Sequence, residues 1–294
     1  PPLDGGGPAK SLEAPGGPGR RAETGKPMSL SDAPARKKPS RARGWIHEII
    51  STLVYPLLAV LAVYTLLFQP FRIPSGSMVD TLLVGDFVWV SKFSYGYSRH
   101  SIPLSPPLFE GRIWGGQPER GDVIVFKLPR DNSTDYIKRL IGLPGDRVQV
   151  KDGFLYINGV AAPTEFVGEV DVPTETGSKA TERVLKYRET LPNGVTHFIL
   201  HKKYDTGPRS GIDGNNTPEY VVPEGHYFMM GDNRDNSVDS RWPIENGVGF
   251  VPYDNLVGRA DLIFPSWDAS EAEFWEVWNW PAAIRWDRLF QSID

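Results

Sequence analysis

PFRIPSGSMVDTLLVGD, running from Pro70 to Asp86, follows the one membrane-length apolar segment of this 294-residue chain and opens its β-patterned remainder. It places Ser77 just beyond a bilayer-spanning length. Within it, Pro74-Ser75-Gly76-Ser77-Met78 joins a residue of fixed φ, two hydroxyls and a glycine, a set able to hold a serine in an unusual backbone geometry beside free N–H groups. Such a layout suits a nucleophile. It also suits an ordinary turn, since Pro, Ser and Gly are the commonest turn residues, so the rest of the chain has to decide.

Upstream, Ile49 to Phe68, IISTLVYPLLAVLAVYTLLF, carries no charge over its length and predicts a membrane-crossing helix within residues 45–69, with a kink expected at Pro56. Apolar residues surround the whole helix, which fits lipid better than one face of a soluble core, and Trp45 and Tyr64 suit interfacial positions. The segment lies too deep in the chain, and runs into PFRIPSGSM rather than an A-x-A site, to read as a cleavable signal. Residues 1–44 are rich in Pro, Gly, Ala, Ser and charge and predict a disordered tail. Its nine Lys/Arg against four Asp/Glu leave the remainder acidic, at −9 within a total of −4. The basic run Arg36, Lys37, Lys38, Arg41 and Arg43 beside the helix predicts a cytoplasmic N-terminus, with everything after Phe68 outside the cytoplasm. An acidic body argues against a nucleic-acid partner.

Downstream, short runs such as Phe87–Val90, Val123–Phe126, Arg147–Val150 and Tyr227–Met230 alternate with Gly/Pro/Asp turns. The pattern predicts a mainly β fold, an antiparallel sheet or barrel. Its catalytic core is expected over 70–152 and 226–294, with the polar stretch 153–225 as an inserted β subdomain. Trp267 to Phe290, with Trp275, Trp278, Trp280 and Trp286, reads either as a core helix or as a surface resting on headgroups. With no cysteine, the chain has no disulfide framework, catalytic thiol or thiolate metal site. No P-loop or HExxH occurs, and no cofactor or metal is expected.

None of the five histidines, His47, His100, His197, His201 and His226, sits in an ordered hydrolase motif, so a Ser-His-Asp arrangement has little support. A lysine made neutral by apolar burial can activate a serine instead. Lys138, in DYIKRLIG among Tyr136, Ile137, Leu140 and Ile141, is the best candidate, while its neighbour Arg139 is expected on the other sheet face, in solvent. The third polar stretch, GDNRDNSVDSR from Gly231 to Arg241, fails as a calcium loop: counted from Asp235, the sixth position is Ser240 and the twelfth Asn246. It suits a loop fastened by its own side chains, with Asp239 available to pair with Arg241.

Together IPSGSM, the YIKR of RGDVIVFKLPRDNSTDYIKRLIGLPGD, and GDNRDNSVDSR resemble, in order and spacing, the bacterial type I signal peptidases of the Ser/Lys class, over about Phe71 to Ile263 apart from the insertion. The resemblance implies a membrane-anchored serine endopeptidase that removes N-terminal signal peptides after A-x-A-like sites. Ser77 is then the nucleophile and Lys138 the general base. Ser75 is the hydroxyl donor of the oxyanion hole, Ser237 the group orienting the lysine, and Asp239 with Arg241 the supporting ion pair. Phe71, Ile73, Met78, Leu82, Val88, Val125, Tyr136 and Ile137 match positions that shape shallow substrate pockets. Implied partners are signal-peptide-bearing preproteins, the lipid bilayer and secretion machinery, at a bacterial inner membrane crossed once, with the catalytic domain on the periplasmic side. Asp80 stands where the family usually has proline, which puts the local turn in question. Two other readings share the scaffold: another membrane-tethered Ser/Lys protease, and a noncatalytic binding module.

Overall fold

The computed structural model describes Trp45 and residues 47–103, 105–173, 181–203, 213–272 and 275–293; the tail expected over 1–44 lies outside the described residues. The chain divides into two units, Pro1–Ser51 and Thr52–Asp294, and every strand belongs to the second. His47–Leu66 forms a helix of 20 residues, long and apolar enough to cross a membrane. Its irregularity is a π turn, Ile50–Val54, that leads into the regular segment Tyr55–Leu66. Pro56 follows that π turn, in the first turn of the regular segment.

The strands in chain order are β1 (Phe68–Arg72), β2 (Asp86–Ser91), β3 (Val123–Lys127), β4 (Asp135–Gly142), β5 (Arg147–Lys151), β6 (Phe154–Ile157) and β7 (Val160–Ala161). There follow β8 (Thr164–Pro173), β9 (Thr181–Thr190), β10 (Thr196–Lys202), β11 (Tyr220–Val221), β12 (His226–Met230), β13 (Val251–Pro252) and β14 (Leu256–Ser266). A seven-stranded antiparallel sheet has the order β1-β2-β14-β3-β4-β12-β13. Two smaller sheets, β10-β9-β8 and β11-β5-β6-β7, attach to it.

The large sheet is apolar on both faces because its central strands alternate two buried sets. On one face Val88, Val90, Val123, Val125, Ile137, Val257, Ala260 and Ile263 form a cluster, with Phe71 of β1 packed against it. β1 and β4 stand at well-separated places in the strand order, so a shared cluster of Phe71 and Ile137 requires the sheet to curl. On the other face Ile124, Phe126, Leu140 and Met229 pack with Tyr95, Val248 and Val251. The β5–β6 hairpin carries the chain across residue 153, and Val148, Val150, Leu155 and Ile157 share a cluster with Ile141, Phe228 and Met230. Val172, Val184 and Leu200, from β8, β9 and β10, close instead on Val79, just after Ser77.

After β14 the described chain returns along that strand: Ile263 N–H donates to Gln291 O at 2.9 Å, and Ile293 N–H to Asp261 O at 3.0 Å. Among the described residues Trp267–Phe290 forms no long core helix: its one α-helical segment there is Trp280–Ala283, and Trp275, Trp278 and Trp286 stand exposed.

Candidate active site

Ser77 lies in a short 3-10 turn, Gly76–Met78, entered from an extended Ser75. Met78 and Leu82 sink into the apolar cluster on the curled face, and Val79 packs toward β8–β10, so the turn is held from both sides. Two further bonds hold its backbone: Asn233 N–H donates to Ser77 O at 3.1 Å, and Asn233 Nδ2 to Gly76 O at 3.1 Å.

β4 delivers the lysine. Lys138 is 3% exposed and Ser77 6% exposed, and Lys138 Nζ donates to Ser77 Oγ at 2.6 Å and to Ile137 O at 2.9 Å. Ser75 Oγ lies 3.4 Å from Ser77 Oγ. Thus residues 61 positions apart bring an amine and a hydroxyl together in a site nearly closed to solvent. Such a site can pass a proton between them and raise the nucleophilicity of the oxygen.

Arg139 corrects one expectation. It is fully buried rather than solvated, with Nε and a terminal nitrogen donating to Asp232 Oδ1 and Oδ2 at 3.0 and 2.9 Å. The second sheet face is as buried as the first, so a charge there needs a partner, and Asp232 also accepts from Thr81 Oγ1 at 2.6 Å. Burial opposes ionisation of Asp232, but the Arg139 guanidinium, His197 and the bond from Thr81 together hold the carboxyl below its ordinary range. Asp239 is likewise opposed by burial and held low by Arg241, whose fork donates to both its oxygens at 2.9 Å. Asp239 Oδ2 in turn accepts from Gly231 N–H at 3.0 Å.

Ser237 Oγ is buried beside Gly231 and helps to hold the Asp239 carboxyl low. Lys138 Nζ is directed at Ser77 Oγ and Ile137 O.

Of the expected pocket residues, Ile73, Met78, Leu82, Val88, Val125 and Ile137 form one cluster with Phe71 against it. Tyr136 does not join them. Successive strand residues face opposite ways, so Tyr136 lies on the face of Lys138, with its ring centroid 5.4 Å from Nζ. Asp80, at the departure from the family pattern, pairs with Lys186 of β9 at 2.5 Å. Sequence reasoning missed Asn233, Asp232 and Glu189. Glu189, on β9, is fully buried and accepts both terminal nitrogens of Arg234, one at 3.0 Å and the other closer. Asn233 and Asp232 fall within a motif already singled out, but an acid on an alternating strand gave no sign of burial.

A family model described as "Signal peptidase, peptidase S26" matches residues 46–267. The signal peptidase I of Rickettsia typhi is 37% identical over 265 residues, covering 84% of this chain and 94% of its own. That of Rickettsia massiliae is 39% identical over 259 residues, covering 82% and 91%. A crystal structure of a signal peptidase I from Enterococcus faecalis aligns at a TM-score of 0.27 and 29% identity, covering 49% of this chain and 96% of the other. With a family model spanning most of the described sheet and relatives matched nearly end to end, the chain belongs to the signal peptidase family, peptidase S26, alongside the bacterial type I signal peptidases.

Proposed function

We propose that the chain removes signal peptides from exported preproteins by acyl transfer, with Ser77 as nucleophile, neutral Lys138 as general base and cleavage after A-x-A-like sites. The observation that carries this reading is the buried 2.6 Å contact between Lys138 Nζ and Ser77 Oγ. Burial disfavours an ammonium, and a neutral amine at that distance takes the serine proton as Oγ attacks the scissile carbonyl. Ser75 Oγ, 3.4 Å from the nucleophile, stands where it can donate to the developing oxyanion. The amine then returns the proton to the leaving nitrogen, and water resolves the acyl-enzyme.

Strand geometry supports an extended substrate. β1 is an edge strand, and β12 ladders with β4 from Arg139 to Gly142, so the Asp135–Ile137 stretch of β4 has no strand beside it on that side among the described residues. A segment entering between these edges completes both ladders, and alternate side chains meet the pocket of Phe71, Ile73, Val125 and Ile137. An aliphatic wall that close accepts alanine-sized groups. In this reading His47–Leu66 anchors the site to a bacterial inner membrane with the tail in the cytoplasm, where signal peptides and the secretion machinery deliver substrate.

Cleavage of an A-x-A preprotein by the detergent-solubilised full chain tests the proposal, with the cut located by mass. Wild type is expected to cut after the second alanine, and Ser77→Ala and Lys138→Met to lose at least about a thousandfold in kcat. Activity surviving in Ser77→Ala would remove the nucleophile assignment.

A further inference from the structure

The apolar helix joins the sheet without a linker: Tyr55–Leu66 ends one residue before β1 begins at Phe68. The last carbonyls of a helix have no partner within it. Here the domain supplies them. The Tyr97 hydroxyl donates to Leu66 O, and Lys92 N–H donates to Leu67 O at 3.0 Å, one step beyond the pairing of Phe68 with Ser91.

The Lys92 side chain adds a third tie. It is wholly buried, with Nζ donating to Ser101 O at 2.6 Å and lying 5.3 Å from the centroid of the Tyr64 ring. Burial lowers its pKa to about 8, so the amine is still mostly charged at neutral pH. A buried ammonium needs compensation, and this one meets a carbonyl, an aromatic face and the negative end of a helix. The three ties fall on Tyr64, Leu66 and Leu67. One contact would leave the helix free to swing, whereas three on its last turn fix both tilt and rotation against the sheet.

Rings on the outside mark the level of this clamp. Phe93 packs edge-on against Phe68, and Trp114 edge-on against Tyr97, and both Phe93 and Trp114 stand exposed. Aromatic side chains favour headgroup level, which is where the helix leaves a bilayer. From there the path to the site is short. Phe71, three residues along β1 from Phe68, packs against the cluster that holds Met78, about 10 Å from the exit at ~3.3 Å per residue. An extended substrate advances by the same step, so raising or lowering the sheet by ~3.3 Å presents the next bond to Ser77.

We propose that Lys92 and Tyr97 are positioning residues that clamp the membrane helix to the catalytic sheet, fixing the height of Ser77 above the bilayer and thereby which A-x-A bond of a membrane-inserted signal peptide is cut. The inference rests on the function proposed above. A preprotein inserted in the same bilayer has its apolar run held at the same level, so the clamped site counts residues from the end of that run. A peptide free in water carries no such reference, and the clamp makes no difference to it.

The test uses the full chain reconstituted in phosphatidylethanolamine–phosphatidylglycerol vesicles, with cuts located by mass. One substrate is a preprotein whose apolar run is followed by A-x-A-x-A-x-A, the other a water-soluble peptide with a single A-x-A site. Wild type is expected to give one dominant product from the preprotein. Tyr97→Phe and Tyr64→Leu each remove one tie, and the ratio of that product to those cut two residues away is expected to fall about fivefold, the worth of one ordinary contact of this kind. Lys92→Met should act in the same direction, and the other two variants carry the test should it not fold. On the soluble peptide kcat/KM is expected to be unchanged in every variant. A product as sharp as that of wild type in Tyr97→Phe and Tyr64→Leu, or a spread of products from wild type itself, would overturn the clamp while leaving the proposed function intact. Loss of soluble-peptide cleavage in folded variants would overturn it too, by showing that these residues hold the site itself. Failure of wild type to cut either substrate would overturn both.

Discussion

A Cβ on Gly231 would overlap Ser237 Oγ and lie 2.5 Å from Ser237 Cβ and 2.6 Å from the backbone oxygen of Ser77. The hydroxyl can rotate away, but Ser237 Cβ and the Ser77 oxygen move only with their backbones. Gly231→Ala therefore shifts Ser77 relative to Lys138, and a displacement on the order of 1 Å costs about a hundredfold in rate. The expected outcome is a kcat lowered by about that factor with KM little changed, read from preprotein cleavage kinetics; an unchanged kcat would show the turn to be free to move. Asp232 makes a different claim. Removing its charge strands Arg139, which is wholly buried, so Asp232→Asn is expected to cost about 3–5 kcal/mol in a denaturant titration. A variant as stable as wild type would mean that the guanidinium finds another acceptor.

Between elements, the turn carrying Ser77 is gripped by segments remote in sequence. Leu200 N–H donates to Asp232 O at 2.9 Å, Asn233 holds Ser77 O and Gly76 O, and Glu189 holds Arg234 one residue further on. β9 thus supports the loop after β12, which in turn supports the turn carrying Ser77. Burial opposes ionisation of Glu189, and Arg234 outweighs it, holding the carboxyl well below its ordinary range. Glu189→Gln keeps the shape but removes the charge facing a buried guanidinium, so about 3 kcal/mol of stability and part of kcat are expected to go together. Full activity in that variant would detach β9 from the site. These elements also mark where reading the sequence stops. The apolar helix and the alternating strands are written in local periodicity, and Ser77, Lys138 and the Asp239–Arg241 pair sit inside recognisable motifs. Period-two alternation already contained the separation of Tyr136 from Ile137. The burial of Arg139 was misread because its partner is 93 residues away, and Glu189 was missed because its strand mixes charged residues with Val184, Leu185 and Tyr187 and does not mark which of its acids is buried. Both are consequences of sheet curvature and docking, which no local pattern records.

Over the whole molecule, buried titratable groups set how stability and activity vary with pH. Asp235 is held at about 2, with burial opposed chiefly by its bond to His201, and Asp232, Asp239 and Glu189 are also held low. Their folded values lie below the unfolded ones, so their stabilisation is complete above about pH 4 to 5 and is lost as pH falls further. His100, lowered by burial from 6.5 to about 4, adds a loss between those values, because the unfolded chain binds the proton first. At the other end burial lowers Lys92 from 10.5 to about 8, so the unfolded chain keeps its proton longer and stability rises above pH 8. Burial pushes the Tyr95 phenol up, so the unfolded chain ionises first near 10 and reverses that rise. These groups leave the melting temperature nearly level from about pH 6.5 to 8. Under the proposed mechanism Lys138 must lose a proton to act, so kcat/KM for an A-x-A preprotein should climb from pH 6 into the mildly alkaline range. A lysine that deprotonates in the folded protein while the unfolded chain keeps its proton adds stability over the same limb, so Tm should rise with it. In Lys138→Arg, which cannot give up its proton, residual activity should be small, and both the limb and the rise in Tm below pH 8 should be lost. A limb that persists in the arginine variant would assign the pH dependence to another group instead of to the amine beside Ser77.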